Sequence, residues 1–224
     1  MEENQNRQQT ENGENQVAPE KIENTVDIEV EDNRPPRPFL YRFRGVVLAI
    51  LAIGALVLPA GDLEVVPFLV FVNLFIIAVY LRVKARRAIG EHSRGSVQDA
   101  PVLITWGAYG RMRHPLYVSN MTIGLSLIVL HFGIDWFVIP FAVVLIAIGL
   151  RLAKLDDRYL EQRYGDEWKL WAMHTPAFIP REIHIAGPLR SGKDAFVADM
   201  VTWVWLALMV ALVLFRKVDF ILWA

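Results

Sequence analysis

The chain has no cysteine in its 224 residues. Disulfides, thiolate metal sites and cysteine nucleophiles are thereby excluded together. The first forty residues contain no apolar core, so no secretory signal peptide is expected. Segment 1–38 is almost devoid of aromatics: Glu, Gln and Asn prevail to about residue 33, then a basic collar, Arg34-Pro-Pro-Arg-Pro38. Such an acidic tail buries too little apolar surface to offset its ordering entropy, and disorder is expected. Metal-ligand spacing is missing as well. His92, His131, His174 and His184 are scattered, with His131 in a hairpin loop, so no metal site is expected. Basic residues follow segment ends instead of one continuous face, which argues against nucleic-acid binding.

What remains is largely apolar. Hydrophobic residues make up 54% of the chain, above the roughly 45–50% of soluble domains. They fall in blocks at about 45–60, 65–81, 117–132, 136–150 and 196–215. The expected fold is all-α, a polytopic integral membrane protein with about five transmembrane helices. Only Gly61–Glu64 separates the first two blocks, and His131–Asp135 the next pair, so each pair should form an antiparallel hairpin. Asn73, near the middle of the second block, should bond a neighbouring helix. Gly124 and Ser126, with Ala142, Ala147 and Gly149 opposite, permit close approach of the third and fourth helices. Lys and Arg gather before the first block, between the second and third, and between the fourth and fifth. The positive-inside rule then places the N-terminus and both long polar segments in the cytoplasm and the C-terminus on the opposite side. Arg216 and Lys217 are the exceptions. Without an organelle-targeting signal, a bacterial inner membrane is the expected location.

Two polar clusters flank the second hairpin. Gly107 to Asn120 carries Arg113-His114-Pro115 into the third block, and Asp156-Asp157 follows the fourth. The hairpin should bring these charges together on the cytoplasmic side. Ionisable groups at that depth pair with one another or meet a polar ligand. Leu160, Tyr164, Trp168 and Trp171 recur at helical spacing, predicting an amphipathic helix over 155–172 that Pro176 and Pro180 terminate. Such a helix could form a lid over a pocket open to water and lipid.

Leu103-Ile-Thr-Trp-Gly107-Ala-Tyr109, then Arg113-His114-Pro115-Leu-Tyr117, and later Asp156-Asp157, Leu160, Tyr164-Gly165, Trp168, Trp171, Pro176 and Pro180 keep an order and spacing that resemble a known superfamily. It comprises the isoprenylcysteine carboxyl methyltransferases and phospholipid methyltransferases, integral membrane enzymes using S-adenosylmethionine. Arg86 and Gly90 fit its approach to the first motif. The resemblance implies a methyltransferase-like core over 39–180, with 181–224 forming a connector and the fifth helix. It implies methyl transfer from S-adenosylmethionine to a lipidic or small hydrophobic acceptor, an isoprenylcysteine-type carboxylate or a phospholipid-type amine. Tyr109, Arg113, His114, Pro115, Tyr117 and Asp156 would then hold the cofactor, and Arg113, Asp156 and Asp157 would act in catalysis. The chain departs from the pattern at three places: Asp156-Asp157 replaces a Glu-Glu pair, Ser119 a glycine and Ala177 an arginine. Those departures sustain a second reading, a non-catalytic membrane scaffold retaining the fold. Sterol-ring reduction is more distant, because no dinucleotide fingerprint is present.

Gly187-Pro-Leu-Arg-Ser-Gly-Lys193 nearly matches a phosphate-binding loop, but Asp194 stands where Ser or Thr would hold magnesium. A membrane span follows, with no room for the sheet that such loops require. The expectation is an ordinary turn.

Overall fold

A backbone surrounded by lipid must satisfy its own amides, and a helix does so within one segment. The computed structural model describes residues 43–62, 64–89, 102–182 and 185–223, with 218–223 as backbone only. The expected tail 1–38, Gly90, His92 and His184 lie outside the described residues. Among the described residues there are eight helices and no strand: α1 (Arg44–Val57), α2 (Val65–Ile89), α3 (Ala108–Arg111), α4 (Pro115–Phe132), α5 (Val138–Tyr164), α6 (Asp166–His174), α7 (Gly192–Val197) and α8 (Met200–Trp223). The fold is all-α.

Four of these helices, α2, α4, α5 and α8, are long and apolar enough to cross a membrane. With 14 residues, α1 is shorter. It rises about 21 Å against a hydrocarbon layer of roughly 30 Å. Ile50, Ile77, Ile139, Val201 and Phe215 are all more than half exposed on the outer faces. An apolar band of that extent belongs in a bilayer. The protein is membrane-embedded.

At the centre, α4 packs chiefly against α2 and α5 and also touches α8 and α1. Ser119 of α4 is fully buried, and its hydroxyl donates to the Ala78 carbonyl of α2 at 2.8 Å. On the other side Gly124 admits Leu145, whose Cδ2 would lie 2.6 Å from an added Cβ. Gly149 likewise admits Met121. The small residues of both helices do allow the close approach expected of them. Ala55, Ile128, Phe132 and Leu145 fill the α1–α4–α5 junction, while Phe71, Leu130 and Val213 join α2, α4 and α8.

Several elements differ from the sequence expectation. The predicted amphipathic helix over 155–172 is not one helix. Instead α5 runs unbroken through Asp156 and Asp157 to Tyr164, and Gly165, at φ +54°, turns the chain into α6. A non-glycine residue there would be strained, so the break is built into the sequence. The second apolar block continues as helix to Ile89, carrying Arg82 and Arg86 with it. The last long helix starts at Met200, after the separate short α7. Asn73 bonds the Leu69 carbonyl of its own helix at 2.8 Å and not a neighbour. His131 lies in the final turns of α4, buried, and not in the loop. Lys217, expected as a topological exception, is buried. Its ammonium donates to the Gly61 and Asp62 carbonyls of the α1–α2 connection.

Candidate functional site

Pro115 begins α4 with its φ already set and no N–H to lose. Arg113 and His114 therefore sit on the extended entry to the helix. Their backbone N–H groups donate to the carbonyls of Pro176 (2.8 Å) and Ala177 (3.0 Å), and that of Arg181 donates to Arg111 (3.0 Å). Segment 176–181 is thus strapped along 111–114. The expected end of the helix at Pro176 has this structural use.

The α4–α5 hairpin brings Asp156 and Asp157 to the same place. Arg113 Nη1 forms an ion pair with Asp157 Oδ2 at 3.3 Å. His114 Nε2 lies 3.2 Å from Asp157 Oδ1, without the alignment of a hydrogen bond. The Tyr117 hydroxyl donates to Asp156 Oδ2 at 2.6 Å. Asp156 also feels the charges of His114 and of Arg44 at the start of α1. The rings of Tyr117 and Phe178 lie 5.8 Å and 5.4 Å from that of His114. Five of the predicted residues, Arg113, His114, Tyr117, Asp156 and Asp157, form one cluster.

Tyr109 and Pro115 support it. Tyr109, presented by α3, packs against Leu103, Trp168 and Trp171. Burial raises its phenol pKa well above the ordinary value, against the opposing pull of Arg86, so it stays neutral. Gly107 starts α3 at φ +62°, and a Cβ there would meet Leu189 and Ala88. Pro115 is fully buried and shapes the helix entry.

Several groups escaped sequence reading. Trp168 and Trp171 read as an apolar stripe and as motif positions without a role in the site, yet Trp168 lies under the Arg113 guanidinium, 5.5 Å from ring centroid to Cζ. Both indole nitrogens are buried without an acceptor, and Arg113 Nε, His114 Nε2 and Asp157 Oδ1 likewise have no hydrogen-bond partner among the described residues. Phe178 could not be placed because segment 176–181 has no periodicity to read.

A second charged cluster lies between α2 and the start of α8, with Asp199 in the α7–α8 turn. Asp199 receives Arg82 Nε at 2.5 Å and Arg86 Nη2 at 2.9 Å. Arg82 also donates to Asn120 (2.5 Å) and Thr202 (3.1 Å). Burial pushes the Asp199 carboxyl up, but the two guanidinium groups outweigh it and hold its pKa below the usual carboxylate value. This cluster is internally satisfied and holds α8 in place. The near phosphate-loop stretch is structural too. Ser191 caps α7 by accepting from the Asp194 N–H at 3.1 Å. Just before it, Pro188 accepts from the Trp106 indole at 2.8 Å and Ile185 from the Gly107 N–H at 3.3 Å. An apolar cleft bordered by Val70, Val129, Ile134 and Trp136 includes none of the predicted site residues.

No family model, curated protein or solved structure matches this chain.

Proposed function

We propose that the protein is an integral membrane methyltransferase that moves a methyl group from S-adenosylmethionine to a lipidic or small hydrophobic acceptor. One observation carries the reading: an Arg113–His114–Asp157 cluster at the ends of two membrane helices, with His114 buried and its neighbours partly so, holding polar atoms that have no hydrogen-bond partner among the described residues. Buried polar groups are rarely left without partners, and those that are often serve a ligand. The orphaned atoms include both donors and an acceptor, which suits a zwitterionic amino-acid end such as that of S-adenosylmethionine. The motif resemblance points the same way.

When bound, S-adenosylmethionine supplies a methyl already activated by its sulfonium, so transfer is a displacement that depends on positioning and exclusion of water. Asp157 would hold the ligand's ammonium, with Arg113 and His114 orienting that carboxylate. Tyr117 fixes Asp156 in one rotamer. For an amine acceptor, Asp156 would take the proton released on methylation; a carboxylate acceptor has none to give up. Trp168 and Trp171 on α6, with Phe178, would close the site against water. The N-terminal and long polar segments would face the cytoplasm of a bacterial inner membrane.

Proteoliposomes containing the protein, membrane-lipid extract and methyl-tritiated S-adenosylmethionine test the reading. Solvent-extractable label is expected, and none with heat-denatured protein. Base-labile label marks a carboxylate acceptor and should survive Asp156→Asn. Base-stable label marks an amine, and Asp156→Asn should then reduce it by about 100-fold or more. Absence of label with folded protein and both acceptor classes supplied would contradict the proposal.

A further inference from the structure

Trp168 and Trp171 are 9% and 8% exposed, and neither indole N–H has an acceptor. Their spacing of three residues on α6 places both rings on one helical face. They share a buried cluster with Leu103, and the Arg113 guanidinium lies over Trp168 with its Nε also unpartnered. Buried tryptophans ordinarily find an acceptor for the indole N–H, and leaving one without is costly. Three N–H donors on these neighbouring residues are thus left without an acceptor. By contrast, Trp106 and Trp203 do find backbone carbonyls, both at 2.8 Å.

We propose that the indole N–H groups of Trp168 and Trp171, with Arg113 Nε, form a carboxylate-receiving site. This inference rests on the methyltransferase reading for its ligand but on the orphaned donors for its chemistry. A carboxylate offers about four lone-pair directions and no donor, which suits three N–H groups. A cation would be repelled by Arg113. Nearby, Asp157 Oδ1, 3.2 Å from His114 Nε2 but without a hydrogen bond to it, is an acceptor and suits an ammonium on the same ligand. Two ligands supply a carboxylate: the amino-acid end of S-adenosylmethionine, or a carboxylate methyl acceptor such as a prenylated cysteine. The tryptophans thus act as specificity determinants, and their apolar rings serve a second purpose as cover.

The protein is labelled with 15N-tryptophan, and the indole resonances are assigned with Trp168→Phe and Trp171→Phe. It is then titrated with S-adenosylmethionine, its decarboxylated analogue, N-acetyl-S-farnesylcysteine and the corresponding amide. Both indole N–H resonances should shift with one acid and not with its carboxylate-free counterpart; which acid does so identifies the source. Each Phe variant should weaken the acid about 10-fold or more while sparing the counterpart. Indole resonances that move with neither bound acid would overturn the inference, as would equal weakening of both members of the pair that moves them. If S-adenosylmethionine fails to bind while the farnesylcysteine acid shifts both indoles, the carboxylate site stands and the methyl-donor reading falls. If S-adenosylmethionine binds and neither acid moves the indoles, the reverse holds. If neither acid shifts an indole, the carboxylate site is overturned.

Discussion

Ser119 stands where the resembled superfamily carries glycine, and its hydroxyl reaches across to the Ala78 carbonyl in a fully buried contact. Removing it by Ser119→Ala should lower stability only modestly, by about 0.6 kcal/mol as for other interhelical hydrogen bonds in membranes. Ser119→Leu should prevent α2 and α4 from closing. Thermal unfolding of the two variants in detergent measures the difference. The charged residues of the candidate site were legible because Arg113-His114-Pro115 and Asp156-Asp157 sit at the two ends of a hairpin. The indole donors were not, since periodicity reports which face a residue occupies and not whether its N–H finds a partner. Asp199 was equally hidden, because its partner Arg82 lies 117 residues away.

At the scale of elements, the ion-paired contact of the α7–α8 turn with α2 sets an acid limit. The folded pKa of Asp199 is depressed, so its contribution is present above the unfolded value of about 3.9 and is lost as pH falls through the lower folded value. Asp199→Asn should destabilise by about 3 kcal/mol or more at neutral pH, since two guanidinium groups lose their buried counter-charge. It should also remove that acid-linked loss, as followed by unfolding temperature against pH. The α1–α2 connection makes a separate prediction. A Cβ on Gly61 would lie 2.2 Å from the Phe132 backbone oxygen, which cannot move aside. One on Gly149 meets only the flexible thioether of Met121. Gly61→Ala should therefore cost about 1–3 kcal/mol and Gly149→Ala less, measured by the same unfolding assay. The number and order of the five longest helices were legible from the apolar blocks. Helix ends were not, because α2 and α5 continue through polar residues that pair within the bundle.

For the whole molecule, the arrangement of basic residues predicts one orientation. Because the chain has no cysteine, single cysteines report sidedness directly. In intact cells a membrane-impermeant maleimide should label Ile134→Cys, in the exposed α4–α5 connection, and should label Arg181→Cys only after permeabilisation. The reverse pattern would invert the protein and place the candidate site outside the cytoplasm. The central claim is narrower: the Arg113–His114 entry and the Asp156–Asp157 end of α5 together receive the methyl donor. Calorimetric titration of S-adenosylmethionine into detergent-purified protein tests it most directly. Saturable binding is predicted, weakened about 10-fold or more by both Arg113→Ala and Asp157→Ala. A folded wild-type protein that takes up no S-adenosylmethionine, or binds it equally well in both variants, would contradict the account.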